Sequence, residues 1–418
     1  TILASQNNFE KAIEAYEKAL SIKPNFAEAF LNVGNAFNAI EQQEKAIQAF
    51  DAALKIWPDY VDAWNNMGLA LRDQGKLEEA IKAYDKALKF RPGHADTWSN
   101  MGIALKDQGK LEEAIQCYNK ALDICPDCSE ANTNLAVLFY ESSRFEEAAQ
   151  LFAMDASIIN QTYLLKCFYE QDEQQKFYKQ LEYLLGQGKN NCVIGSFISR
   201  AEIRYGVKKQ NPFCNEPLKY VLKKDLTGEY NFNDIFINGA LEILSDDRVK
   251  YKKKDHFFAH HTTRFTNGVM TAGNIFTQVG RLTDEIERVI YSEIEKYRIL
   301  FKDSEEGFIK NWPKNYSIFG WLVSMKNGGE LSAHIHETGW LSGSVYINVP
   351  PKLKKDSGNL VVSLNGKEDV EETTESIDVV TGSLCLFPSS LLHYTIPFEA
   401  DEDRIVLAFD LVPKLDAS

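Results

Sequence analysis

The residues of this chain best suited to chemistry are two histidines two positions apart, His334 and His336, in Glu330-Leu331-Ser332-Ala333-His334-Ile335-His336-Glu337. On an extended segment that spacing turns both imidazoles to one face, so one strand aims two metal-ligand side chains at a single point. His393 follows Phe387-Pro388-Ser389-Ser390-Leu391-Leu392, where an apolar run delivers the chain to a turn, and Arg404 begins the last apolar run. The other histidines are His94, His256, His260 and His261, and the last three read as ordinary hydrogen-bonded residues. Cys125 and Cys128 have metal-like spacing, but no second pair completes a tetrahedral site, and they read as structural residues of a turn.

Strands must hold these groups. After Asn211 the Pro, Gly, Asn and aromatic content rises, and short apolar or alternating runs cover 317–325, 343–349, 359–364, 376–380, 383–387 and 404–412. Asn327-Gly328-Gly329, Asn365-Gly366 and Thr381-Gly382 punctuate them as turns. Strands of this length and spacing predict an antiparallel double sheet with a jelly-roll core. One amphipathic helix, with Leu282, Ile286, Val289, Ile290, Ile294, Tyr297 and Leu300 on one face, is expected to buttress the sheet, making the domain α+β. The segment Arg264-Phe265-Thr266-Asn267-Gly268 reads as a surface loop, with the substrate opening as the alternative.

At this point the sequence resembles the 2-oxoglutarate/iron(II) dioxygenases, and in particular an oxygenase family whose core reads HxHxxxxLSGVYYLxxP. The stretch here is His334-Ile335-His336-Glu337-Thr338-Gly339-Trp340-Leu341-Ser342-Gly343-Ser344-Val345-Tyr346-Ile347-Asn348-Val349-Pro350. The block from Phe387 to Pro397 and Arg404 also look like that family. The resemblance implies a double-stranded β-helix that holds iron(II) on His334, His336 and His393. It also implies 2-oxoglutarate as cosubstrate, its distal carboxylate on Arg404 with a further hydrogen bond from Tyr346, and dioxygen as the second cosubstrate. A guanidinium pairs bidentately with a carboxylate and stays charged when buried. The sequence departs from most such dioxygenases at His336, where a carboxylate is usual, so either His336 or Glu337 completes the set. An ordinary salt bridge from Arg404 to the acidic stretch Glu368–Glu375 is the competing reading of that residue. A cupin-like metal protein and a non-catalytic interaction protein are the alternatives for the whole.

The first part of the chain has another character. Pro24, Pro58, Pro92 and Pro126 recur every 34 residues, as do Gly34, Gly68 and Gly102, with Ala136 in the fourth place. Ala12, Ala46, Ala80, Ala114 and Ala148 keep the period, and so do the aromatics Tyr16, Phe50, Tyr84, Tyr118 and Phe152. Small residues let the two helices of a hairpin approach, aromatics fill the space between them, and proline ends the second helix. This resembles the tetratricopeptide repeat family over residues 1–158, which implies an all-α solenoid whose groove binds a protein or peptide. Helical patterning without the repeat columns continues over 159–210, as degenerate repeats or a linker, and the oxygenase-like domain is expected over 211–418.

Composition excludes some partners. A net charge of -14 argues against nucleic acid, whose phosphates call for clustered Lys and Arg; the basic runs at 252–254 and 352–355 read as solvated loops. No apolar stretch is long enough to span a bilayer. Seven cysteines spread over 418 residues suit reduced thiols, hence the cytoplasm, although the chain opens on Thr1 and a removed targeting segment stays open. The expectation is a 2-oxoglutarate- and iron(II)-dependent dioxygenase hydroxylating a protein or peptide side chain, with the repeats docking substrate or partner.

Overall fold

A computed structural model describes residues 8–40, 42–246, 249, 265–280, 283–366 and 373–414. The lysine run 252–254, His256, His260, His261, Arg264, Leu282 and the acidic stretch before Thr373 lie outside the described residues. The chain divides into two compact units, Thr1–Gln171 and Asp172–Ser418.

The first unit is a run of antiparallel helices: α1 (Phe9–Ile22), α2 (Ala27–Ala39), α3 (Gln43–Ile56), α4 (Val61–Asp73), α5 (Leu77–Phe90), α6 (Ala95–Asp107), α7 (Leu111–Ile124), α8 (Ser129–Glu141), α9 (Phe145–Phe152) and α10 (Ile158–Glu170). The repeat columns have the packing role their residue types imply. A Cβ added at Gly68 of α4 would sit 2.4 Å from the Tyr84 ring of α5, and one at Gly34 equally close to Phe50. Without a side chain there, each helix pair closes onto an aromatic ring that is fully buried. Trp64 and Trp98 donate their indole N–H to the carbonyls of Pro58 and Pro92, each at 2.8 Å, which ties the first helix of a repeat to the preceding turn. Cys125 and Cys128 are free thiols at the turn between α7 and α8.

The second unit opens with α11 (Gln174–Gly186) and α12 (Cys192–Tyr205), followed by β1 (Leu222–Asp225), β2 (Phe265–Met270), α13 (Asp284–Leu300), β3 (Tyr316–His334), β4 (Leu341–Asn348), β5 (Leu360–Ser363), β6 (Thr374–Ile377), β7 (Ser383–Pro388), β8 (Leu392–Thr395) and β9 (Arg404–Pro413). The strands are antiparallel in the order β1-β7-β4-β9-β3-β8-β5-β6, with β2 also on β3. This is the expected jelly-roll core.

Three local readings need correction. Residues 265–270 are a strand rather than a loop: Gly268 lies against Ser324 of β3, where a Cβ would come 2.4 Å from the carbonyl oxygen, so a glycine lets β2 bulge and still pair. Asn327-Gly328-Gly329 does not end a strand. Gly328, at φ +71°, bends β3, which pairs with β9 before the bend and with β8 beyond it. On α13 Ile286, Val289, Ile290, Ile294 and Tyr297 are buried, but Leu300, in the last turn, is 61% exposed. The helix buttresses the sheet partly through charge, its buried Glu293 lying 2.8 Å from Lys224 of β1.

Candidate metal centre

The bend in β3 decides where its last residues point. His334, the final residue of β3, pairs directly with His393 of β8, and a register shift between Leu331 and His334 turns the end of the strand inward. The chain then leaves the sheet, and His336 follows in the turn to β4. Donor nitrogens of His334, His336 and His393 all lie within 4.8 Å of one another. Glu337 is outside this group, so the neighbouring residue that joins the two histidines is His336. The loop is backed by α12, whose buried Cys192 thiol donates to the carbonyls of His336 and Glu337 at 3.4 and 3.3 Å.

Each ring is held from behind at Nδ1. The Ser332 carbonyl lies 2.9 Å from Nδ1 of His334, the Leu391 carbonyl 3.4 Å from that of His393, and Asp410 Oδ1 2.7 Å from that of His336. Carbonyls and a carboxylate accept, so this network assigns the N–H to Nδ1 in all three and leaves Nε2 facing the common point. Burial pulls the pKa of His334 down to about 3 and that of His393 well below the usual range, which keeps both rings neutral and their lone pairs available.

The Nε2 atoms of His334 and His336 are 3.1 Å apart. Two ring nitrogens that close hold either a hydrogen-bonding proton or a metal ion between them. Nitrogens about 2.1 Å from one ion and at right angles would stand about 3.0 Å apart. The convergence of His393 on the same point favours the ion, and the donor set fits a divalent metal of the kind that accepts imidazole. The cavity before the histidines is also lined by Trp321, Tyr346 and Phe387. Trp321 and Phe387 pack on the rings of His336 and His393, with centroids 5.2 and 4.9 Å apart.

Arg404, Val406, Ala408 and Asp410 alternate along β9, and so share one face. Val406 and Ala408 line the cavity. Arg404 lies just beyond it, beside Val349, Pro350 and Phe398, and Tyr346 links the two places. Its ring lines the cavity and lies 5.1 Å from the guanidinium carbon. Arg404 is 1% exposed, and none of its three side-chain nitrogens has a hydrogen-bond partner among the described residues. Burial pulls the guanidinium pKa down, and the Tyr346 hydroxyl beside it acts in the opposite direction, favouring the charged form. Among the described residues no carboxylate takes up the salt bridge considered for Arg404.

Sequence reading missed Asp410, Ser342 and Ser389. Ser342 Oγ lies 2.8 Å from both Asp410 Oδ1 and Ser389 Oγ, so the three form one buried polar group behind His336. The signal was a lone acidic residue within an apolar strand, at an inward position where a carboxylate costs free energy unless paired.

Comparison with known proteins agrees with both halves. Residues 320–410 match the family model described as "Putative 2OG-Fe(II) oxygenase", and tetratricopeptide repeat models match 1–40, 34–72, 59–127 and 93–154. No curated protein matches the chain. Solved structures similar to it include MamA, at 22% identity and a TM-score of 0.34, covering 42% of this chain and 95% of that one. PilF of Pseudomonas aeruginosa has 18% identity and a TM-score of 0.41, with 47% and 91% covered. The type IV pilus biogenesis factor PilW has 22% and 0.41, with 44% and 88% covered. The chain thus joins a tetratricopeptide repeat array, residues 1–154, to a domain of the 2OG-Fe(II) oxygenase family.

Proposed function

We propose that the protein is a 2-oxoglutarate- and iron(II)-dependent dioxygenase that hydroxylates a side chain of a protein or peptide held by its repeat array. The observation that carries this reading is Arg404, a guanidinium wholly buried beside the three-histidine cavity with no carboxylate partner among the described residues. An unpaired buried charge costs several kcal/mol, and a site that keeps one is built for an anionic ligand. The distal carboxylate of 2-oxoglutarate meets that need with two parallel hydrogen bonds, to which the Tyr346 hydroxyl adds a third.

His334, His336 and His393 would hold the iron, three neutral donors leaving positions open for cosubstrates. Iron(II), when bound, would supply activation of dioxygen, with 2-oxoglutarate losing carbon dioxide as one oxygen atom ends in succinate and the other in the hydroxylated product. The chain's own residues prepare for this. Ser332, Leu391 and Asp410 fix the ring tautomers, the Trp321 and Phe387 rings hold the imidazoles in place, and the apolar lining keeps bulk water away from the reacting groups.

The division into an array over 1–158, a helical connector over 159–210 and an oxygenase domain over 211–418 belongs to this proposal. So does a cytoplasmic location, which the free thiols of all seven cysteines support. No described helix is long and apolar enough to cross a membrane. A protein or peptide substrate is preferred over a small molecule because repeat arrays present extended concave surfaces. The test is anaerobic titration of the full chain with iron(II) and 2-oxoglutarate. The expected result is the weak visible charge-transfer band of the chelate, and a metal-loaded sample without it would exclude this cosubstrate mode.

A further inference from the structure

We propose that Asp410 supplies, from behind His336, the negative charge that a set of three histidines lacks, and is thereby the positioning residue of the centre. This rests on the metal reading above and extends it to a residue that touches neither metal nor cosubstrate.

Asp410 lies on β9 opposite Phe319 of β3 and Ser342 of β4. It is 5% exposed, and its Oδ1 accepts from His336 Nδ1 at 2.7 Å and from Ser342 Oγ at 2.8 Å. The pocket around it is closely built. A Cβ at Gly339 would come 2.7 Å from Ser389 Oγ and 3.2 Å from Asp410, so glycine is the residue that lets the loop carrying His336 settle against this group. Among the described residues Asp410 has no Lys or Arg beside it, and its one ion-pairing neighbour is His336. A carboxylate buried in this way is costly unless positive charge stands close by, and a metal ion across the imidazole supplies it.

The three histidines are not equivalent. His334 and His393 are backed by neutral backbone carbonyls, whereas His336 is backed by a carboxylate. His336 is also the ligand that stands where most related centres carry a carboxylate. Two histidines and a carboxylate on a divalent ion leave one net positive charge, and three histidines leave two. Asp410 restores the balance one imidazole further out, strengthening the Nε2 donor through the Nδ1–H it accepts. With Arg404 adding one positive charge and 2-oxoglutarate bringing two negative ones, the buried charges then sum to zero. Without Asp410 the interior would hold one uncompensated positive charge.

The experiment uses the full chain and cobalt(II) as probe, with affinity and d–d absorption read by titration and the metal-free midpoint read by circular dichroism. Asp410→Asn keeps the shape and an acceptor oxygen but removes the charge. It is expected to weaken cobalt(II) binding about 10–100-fold and to shift the d–d bands, with the metal-free midpoint within a few degrees of wild type. Ser342→Ala, which removes one bond fixing Asp410, is expected to weaken binding by about fivefold, and it decides the matter should Asp410→Asn not fold. Affinities within about twofold of wild type and unchanged spectra, in Asp410→Asn or in Ser342→Ala alone if only that variant folds, would overturn the role of Asp410 while leaving the three-histidine centre standing. Failure of the wild-type chain to bind cobalt(II) would remove the centre and this role together.

Discussion

Replacing Arg404 by methionine separates two accounts of that residue by the sign of one measurement. Methionine keeps much of the side-chain volume and removes the charge. Were the guanidinium one half of a structural ion pair, its loss would strand the partner and cost about 3–5 kcal/mol. The structure instead shows a guanidinium 1% exposed, packed between Tyr346 and Phe398, with no carboxylate on any of its nitrogens among the described residues. Removing such a charge relieves a desolvation cost, so the metal-free Arg404→Met chain is expected to melt at or above the wild-type midpoint. For a unit of this size each kcal/mol is worth about 2–4 °C. Binding should change in the opposite direction. Two charge-assisted hydrogen bonds at about 1.5–3 kcal/mol each amount to about 3–6 kcal/mol, a loss of about 150- to 20,000-fold in affinity for 2-oxoglutarate. The assay is a thermal scan of the full chain under nitrogen with manganese(II), with and without 2-oxoglutarate. Wild type at about one hundred times its dissociation constant should gain about 2.7 kcal/mol, hence a rise of about 5–10 °C, while the variant keeps the rise due to metal and loses the one due to 2-oxoglutarate. A metal-free variant destabilised by 3 kcal/mol or more, or a surviving 2-oxoglutarate shift, would refute the reasoning.

Three further outcomes follow from the same geometry. His393→Ala removes one of three converging donors and should leave iron or cobalt at well under one equivalent after gel filtration, measured by elemental analysis, with helix content unchanged. The metal-free protein should lose stability on acidification. His334 is buried with its pKa lowered to about 3 and His393 is lowered as well, so below the ordinary histidine value near 6.5 the unfolded chain binds more protons. The contribution of each ring is therefore undiminished above about pH 6.5 and falls by up to about 1.4 kcal/mol per pH unit below it, which urea titrations between pH 7 and 5 would show; bound metal should delay the loss. In the array, Gly68→Ala drives a methyl into the buried Tyr84 ring and should cost about 1–3 kcal/mol, read as a lower midpoint by circular dichroism with 2-oxoglutarate binding preserved.

The repeat columns were legible because each position has a packing reason that survives translation by 34 residues, and Gly68 against Tyr84 shows it in contact distances. The jelly roll was legible in its long apolar runs, but β1 and β8 were not. Leu222-Lys-Lys-Asp225 is too short and polar to announce a strand, and becomes one by pairing with β7. β8 is four residues long and exists because β5 pairs with it along its whole length while Leu331 and His334 of β3 meet it from the other side. Asn327-Gly328-Gly329 carries the residues of a turn, yet the backbone uses Gly328 to bend β3 while pairing resumes on the other side.

The sequence by itself determined the repeat array and the sheet domain, because periodicity acts locally and needs no knowledge of distant neighbours; it also named the three histidines as candidates, although of the pair two residues apart only His334 lies on a strand. Tertiary structure decided the rest. That His336 rather than Glu337 joins the cluster depends on how the chain leaves β3 and lodges against Asp410, 74 residues further on. That Arg404 meets no carboxylate among the described residues can be known only when everything packed around it is in place. Both are questions of which charges meet in a low-dielectric interior, and that is settled by the contacts between strands far apart in the chain.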